Sequence, residues 1–328
     1  MNKYVSPLIL VWVMVVGQSW AIAQDDASIT ELLGAMAESQ RSANMSGEFV
    51  QSKDGQAVRF RLARWVDQGS VFERLDRVDG GQPFTVLRRA GDWFAIDSGA
   101  RTFTRMSKPL GLPPLNHLYQ RRFEIESLYD VERLGPQSMD IDGASLPLQG
   151  YRFVPLDQHR YAYTLWVDVQ SMQPLYRLYS WQGEMLESVR YTQFTASPSL
   201  SAAFFEMPAG LAEKPLMPMP LAEVPAWNVE WLPPGFVSMD PTESDVGAEQ
   251  SPATGQKMFG DGIATVSVFV QPSLAPEGDE PGMFRSGVVS MISLPRKLAG
   301  RHWQVTALGE VPPRTLEMIV KHVAIGRP

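Results

Sequence analysis

The sequence predicts an α+β protein that is mainly β: a large curved antiparallel sheet with one helix, followed by a small α+β domain. Three observations predict it. Apolar and charged residues alternate with period two through much of residues 47–194, and hairpin signals separate the runs. Only one segment of the first domain, around Ile29–Met36, has clear helical spacing. Four prolines then fall within Leu211–Pro225, which prevents a helix and suits an extended linker.

The elements follow in chain order. Lys3, the apolar run Leu8–Val16 and the small-x-small site Ala21-Ile22-Ala23 form a secretion signal, with cleavage expected after Ala23. The run is about half the roughly 20 residues that a spanning helix needs. With no second long apolar run, the mature chain is expected to be soluble. Cysteine is absent, so there is no lipobox anchor, no disulfide framework and no thiol nucleophile. A mature chain of about 300 residues must rely on core burial, and usually does so as two domains. The net charge of −7 argues against nucleic acid as the main partner.

Ser28 with Glu31 has the spacing of a capping box, and Ile29, Leu32, Leu33 and Met36 give the helix its apolar stripe. Val58, Phe60 and Leu62 then alternate with Arg59 and Arg61. Further strands are predicted at 47–52, 71–77, 84–89, 93–97 and 102–106, and a second set at 129–134, 149–154, 160–167, 175–181 and 184–194. Asp54-Gly55, Asp79-Gly80-Gly81, Ser98-Gly99 and Gln182-Gly183 punctuate them. Pro109–Ile125 reads as irregular. In the second domain, strands are expected at 227–231, 264–270, 287–293 and 303–308. Leu316, Ile319, Val320 and Val323 mark a closing helix. Asp240–Gly255 and Pro272–Pro281 read as surface loops.

Catalytic chemistry is sparse. The four histidines are scattered, and Asp157-Gln158-His159-Arg160-Tyr161 reads as a polar turn rather than a metal or acid–base site. Asp140-x-Asp142-Gly143 begins like a calcium loop but carries Ser145 where the invariant glycine belongs. Asp261 between two glycines reads as a turn feeding a strand. Asn44-Met45-Ser46 is an isolated sequon. No cofactor or metal is expected. Two distributed features remain. The aromatic pool of the sheet exceeds what one helix can cover, so Phe60, Trp93, Phe103, Phe153, Tyr163 and Trp166 are candidates to line an acyl-binding cleft; an ordinary aromatic core is the plainer reading. Arg88-Arg89, Arg101 with Arg105 and Lys108, and Arg121-Arg122 are local basic groups that suit either phosphate or solvent.

Several motifs together resemble the RseB/MucB family: Pro155-x-Asp157-x-His159-Arg160-Tyr161, Trp231-Leu232-Pro233-Pro234-Gly235-Phe236, Asp261-Gly262 running to Val270, and Gly309-Glu310-Val311-Pro312. The resemblance covers nearly the whole mature chain. It implies a signal peptide at 1–23, a LolA/LolB-like unclosed β-barrel at 24–208 that senses lipid, a Pro-rich linker at 209–225, and an anti-sigma-factor-binding domain at 226–328. It implies a periplasmic regulator that docks on the periplasmic part of an RseA/MucA-like anti-sigma factor and shields it from a site-1 protease. Lipopolysaccharide, acyl chains or mislocalised lipoproteins would release it. Trp231, Phe236, Phe269 and Glu310 are the partner-contact candidates, and a homodimer is possible. Gly260 stands where the family usually has a polar residue. A LolA-type carrier is the alternative, disfavoured because a carrier needs only the first domain. A hydrolase is disfavoured by the missing catalytic groups.

Overall fold

The computed structural model describes residues 28–89, 91–106, 124–215, 224–239, 255–273 and 282–326. The expected signal peptide, residues 216–223 of the Pro-rich linker, the acidic segments 240–250 and 277–280, Lys108 and the pair Arg121-Arg122 lie outside the described residues.

Helix α1 (Ile29–Ser42) starts where the capping box requires. Ser28 Oγ accepts from the Glu31 amide at 3.2 Å, and Glu31 Oε2 accepts from the Ser28 amide at 2.9 Å. Leu32, Leu33 and Met36 are buried against Phe153, Tyr163, Leu165 and Val167 of the sheet.

The sheet begins as a meander: β1 (Met45–Lys53), β2 (Gln56–Asp67), β3 (Ser70–Arg77), β4 (Thr85–Arg89), β5 (Asp92–Asp97) and β6 (Thr102–Met106). After α2 (Ile125–Leu128) come β7 (Tyr129–Arg133), β8 (Gln137–Ile141), β9 (Ala144–Pro155), β10 (Ala162–Asp168), β11 (Pro174–Trp181) and β12 (Glu184–Ala196). Strand β12 returns antiparallel beside β1 and joins the two sets into one 13-stranded sheet. Its path runs from β13 (Ala212–Glu213) through β6 to β1, then through β12 to β9 and β7, with β8 paired to β9. The end strands do not pair with each other, so the sheet is open, as expected. Strand β13 pairs parallel with β6, so the stretch entering the Pro-rich segment lies along a sheet edge. Two further apolar clusters flank the sheet. One gathers Met45, Phe49, Leu75, Val86, Leu148, Leu175 and Tyr191. In the other, Phe205 and Leu200 cover Ala63, Leu87, Phe94 and Ile96.

The second part has a six-stranded antiparallel sheet in the order β15 (Val237–Ser238), β16 (Gln256–Gly260), β17 (Thr265–Pro272), β20 (Arg301–Gly309), β19 (Val289–Leu298) and β18 (Gly282–Ser286). Strands β14 (Trp227–Val229) and β21 (Val323–Ile325) form a separate pair. Helix α3 (Pro313–Lys321) buries Leu316, Ile319 and Val320 with Val266, Val268, Val305 and Ala307 of the sheet.

The sequence did not predict β8, β16, β18 or the short strands β13, β15 and β21, and Val323, expected on the closing helix, lies beyond its end at Lys321 and opens β21. Asp142 and Gly143 turn β8 into β9, both with positive φ, so the run that mimics a calcium loop is a hairpin turn. Strand β19 begins at Val289 and runs on to Leu298, while Gly287 and Val288 lie in the preceding turn, later than the expected 287–293. Pro295 masks that length. Among the described residues β18 pairs with β19 only up to Ser293, so Pro295 lies beyond that pairing and its missing N–H breaks no described bond to β18.

Candidate functional site

The most constrained chemistry lies where the two parts meet. The Asp157–Tyr161 turn brings Arg160 into the junction, and the turn between β16 and β17 brings Asp261; both are fully buried. Arg160 Nε donates to Asp261 Oδ2 at 2.6 Å, and the Tyr129 hydroxyl donates to the same oxygen at 2.8 Å. Asp261 Oδ1 accepts from the amides of Ile263 at 2.9 Å and Ala264 at 2.8 Å. Arg160 also donates to the Asp157 carboxylate and to the Pro234 carbonyl. Its guanidinium carbon sits 5.2 Å from the centre of the Phe236 ring and 5.7 Å from that of Tyr129. Each polar atom of Asp261 thus has a partner, which burial of an ion pair demands. Burial opposes the Arg160 charge, but Asp261 and its neighbours outweigh it and raise the pKa. Burial, with Asp261 beside it, holds the Tyr129 hydroxyl protonated well above its ordinary value.

The backbone is shaped for this contact. Gly235 has φ +79°, and a Cβ there would lie 2.6 Å from Leu128 of the large sheet's part. Ile263 and Val288 of the second part join the apolar cluster of α1 and β10. Asp54 Oδ2 accepts from the Gly287 amide at 2.9 Å and the Ser286 hydroxyl at 3.1 Å. Thr315 of α3 donates to the His159 carbonyl at 3.3 Å. Trp231 packs between His159 and His322, at 5.2 Å and 5.9 Å between ring centres.

Glu310 closes the junction on another side. Its amide donates to the Thr265 carbonyl at 3.0 Å, and its Oε2 accepts from Thr265 Oγ1 at 3.2 Å. Burial pushes its carboxyl up to about 7, with Glu187 adding to the rise and Thr265 and Arg177 opposing it. Burial and then Glu310 raise Tyr179 well above its ordinary value. Gly309 precedes it because a Cβ there would lie 2.4 Å from the Thr265 carbonyl oxygen.

The partner candidates therefore occupy different settings. Phe236 is buried under Arg160, Glu310 lies in the junction, Trp231 is partly buried beside it, and Phe269 is partly buried on β17, opposite Gln256 and Thr306. The six cleft candidates fall into three groups. Phe153 and Tyr163 are buried neighbours beneath α1, at 6.0 Å between rings. Phe60, Trp93 and Trp166 are partly buried at one cluster. Phe103 packs on Phe94 in another. A cavity of about 300 Å³ between α1 and the sheet is lined by Leu32, Ala35, Tyr151, Val167, Val169 and Met172, with Arg133, Gln149 and Glu31 among its polar groups; none of the six lines it. The sequence reading missed the joining of Arg160 to Asp261. Both turns were visible, but nothing local pairs residues 101 positions apart.

Comparison with known proteins gives a consistent result. Residues 28–209 match the MucB/RseB N-terminal domain and residues 222–324 the MucB/RseB C-terminal domain. The chain is 29% identical over 309 residues to the "Sigma factor AlgU regulatory protein MucB" of Pseudomonas aeruginosa, covering 90% of this chain and 91% of that protein. It is 25% identical over 312 residues to the "Sigma-E factor regulatory protein RseB" of Escherichia coli K12, covering 92% and 93%. The solved structure of the Pseudomonas aeruginosa MucA/MucB complex matches the fold with a TM-score of 0.68 at 24% identity, over 92% of this chain and all of that one.

Proposed function

The chain belongs to the MucB/RseB family, a family of regulatory binding proteins rather than enzymes, and we propose that it regulates a sigma factor from the periplasm. In this reading it binds the periplasmic region of an inner-membrane anti-sigma factor, denies a site-1 protease access to it, and lets go when lipid occupies the first domain. The observation that carries the reading is the presence of both family domains in order, joined by a fully satisfied buried ion pair. A relative of the same architecture has been crystallised with the periplasmic domain of MucA.

Trp231 and Phe269 remain partly exposed and suit direct partner contact, as aromatic anchors do. Phe236 and Glu310 act through the junction, by setting the angle between the parts. The lipid reading draws on the partly buried aromatics Phe60, Trp93 and Trp166 and on the 300 Å³ cavity beside α1. The experiment is a binding and protection assay. The mature protein is mixed with the periplasmic segment of an RseA/MucA-like protein from the same organism, and cleavage by a site-1 protease is followed with and without added acyl amphiphile. Binding with slowed cleavage, reversed by amphiphile, is expected. Failure to bind overturns the regulatory reading, and protection indifferent to amphiphile overturns the lipid-sensing half.

A further inference from the structure

The two sides of the junction are held by different chemistry. On the Arg160 side, a buried ion pair has all its partners. On the other side stands Glu310, which forms no ion pair among the described residues and accepts from Thr265 Oγ1 at 3.2 Å. A register row of the large sheet runs beneath it. Phe153, Tyr163, Tyr179, Glu187 and Lys53 lie opposite one another in turn, from β9 through β10, β11 and β12 to β1. Directly opposed residues share a face. Phe153, Tyr163 and Tyr179 belong to the apolar cluster that Ile263 and Val288 of the second part join. The groups facing Glu310 are Arg177 and Tyr179 of β11, Tyr163 of β10, Glu187 of β12 and Thr265 of β17. Two carboxylates, one from each part, thus repel when both are charged, and of the groups named Arg177 alone offers an opposite charge.

Glu187 is already engaged. Its Oε1 accepts from Gln51 Nε2 at 2.6 Å and its Oε2 from the Val288 amide at 3.4 Å. The adjacent Gly287 amide donates to Asp54 Oδ2 at 2.9 Å. The turn between β18 and β19 therefore hands two amides to carboxylates of the first part, and any parting of this side breaks both bonds. Gly287 is seated closely, since a Cβ there would lie 2.6 Å from Glu187 Oε2. A charge buried here without a close cation is costly. Burial, with Glu187 adding to it, pushes the Glu310 carboxyl up to about 7, whereas parting would return it to water and its ordinary 4.5. The closed junction thus binds the proton more tightly than the open one. Closure is strongest below the ordinary value and weakens as pH rises through about 7.

We propose that Glu310 is a proton-controlled latch between the two parts. Protonated, it sits in the junction as a neutral hydrogen-bonding group, and the parts stay closed. Ionised, it lets its own side of the junction open about the Arg160–Asp261 pair, which holds the other side. The latch sets an internal angle and needs neither a bound partner nor lipid to operate, so it goes beyond the regulatory reading above.

The test is amide hydrogen exchange of the full mature protein from about pH 5.5 to about pH 8, read by NMR and divided by the intrinsic rate at each pH. In the wild type, protection of the Gly287 and Val288 amides is expected to fall at least about tenfold across that range. The Ile263 and Ala264 amides, bound to Asp261 within the second part, should not share the fall. Glu310→Gln keeps an acceptor for Thr265 and cannot ionise, so its Gly287 protection should stay level. Glu187→Gln should shrink the fall at Gly287 by removing a like charge, and Arg177→Gln should enlarge it by removing the opposite one; a merely damaged fold cannot give opposite signs. Level protection in the wild type, free exchange of Gly287 and Val288 at both ends of the range, or an equal fall at Ile263 and Ala264 overturns the latch. So does a fall that survives in Glu310→Gln, which would belong instead to His159 or His322 beside Trp231.

Discussion

Replacing Glu310 by glutamine should change how the stability of the protein depends on pH. The carboxyl shifts from an ordinary 4.5 to about 7, first through burial and then through Glu187. Both Tyr163 and Tyr179 feel its charge, and Arg177 partly offsets it. The folded state therefore holds the Glu310 proton more tightly than the unfolded chain. Below the unfolded value the proton is bound in both states, and the shift contributes nothing. As pH rises from 4.5 to about 7, the unfolded chain ionises freely while the folded one resists, and stability falls; above that window the full penalty remains. At about 1.36 kcal/mol per unit the shift corresponds to roughly 3 kcal/mol. Glu310 is only partly buried as a residue, so screening by solvent brings the expectation to about 2 kcal/mol. Glutamine keeps an acceptor for Thr265 Oγ1 and cannot ionise. Urea unfolding of the mature wild-type and Glu310→Gln proteins near pH 5 and near pH 8 measures the effect. The wild type should lose about 2 kcal/mol more than the variant between the two conditions. Parallel pH profiles, or a wild type that gains on the variant toward alkaline pH, would refute the placement of this carboxyl in a desolvated junction.

Other substitutions probe the remaining joints. Arg160→Met should cost about 3–5 kcal/mol in urea unfolding, because it strands the buried Asp261 carboxylate, and adding Asp261→Asn should recover part of that loss. Ser28→Ala removes an acceptor of the first turn of α1 and should cost about 1 kcal/mol, read from the same transition. Gly309→Ala would press a methyl group into the Thr265 carbonyl, and thermal denaturation should show a loss of at least about 1 kcal/mol. Intact mass of the exported protein should correspond to a chain starting at Gln24.

The parts of the fold that local physics decides were legible in the sequence. Ser28 and Glu31 announced α1, and the alternation of Val58, Phe60 and Leu62 with arginines announced β2. Short strands carrying unusual residues were not. Strand β8 contains Asp140 in a Gln-Ser-Met-Asp-Ile run, and it holds because Met139 and Ile141 turn inward to the cluster around Leu148. Strand β18 exposes Met283 and Phe284 and is defined by pairing to β19 rather than by its own pattern. The candidate site was legible residue by residue but not as a site. Asp261 was readable as a turn former, and it does cap its own turn through Ile263 and Ala264; its second oxygen serves Arg160, which only the folded chain brings near. Arg88 was legible only as half of a basic pair with Arg89; that it faces Glu73 of β3 depends on strand register, which neither strand fixes alone.

The Arg160–Asp261 bond also has a consequence for the order in which the chain emerges. The chain is synthesised from its N-terminus, so the large sheet can form before Asp261, 101 residues behind Arg160, is available. During that interval the guanidinium has Asp157 on its own turn but lacks Asp261, the Pro234 carbonyl and the Phe236 ring. The half-emerged chain thus holds an unfinished charged surface at the spot that the second domain will cover. Arrival of Asp261 completes it, which makes the second part of the chain a condition for the large sheet's part to settle fully.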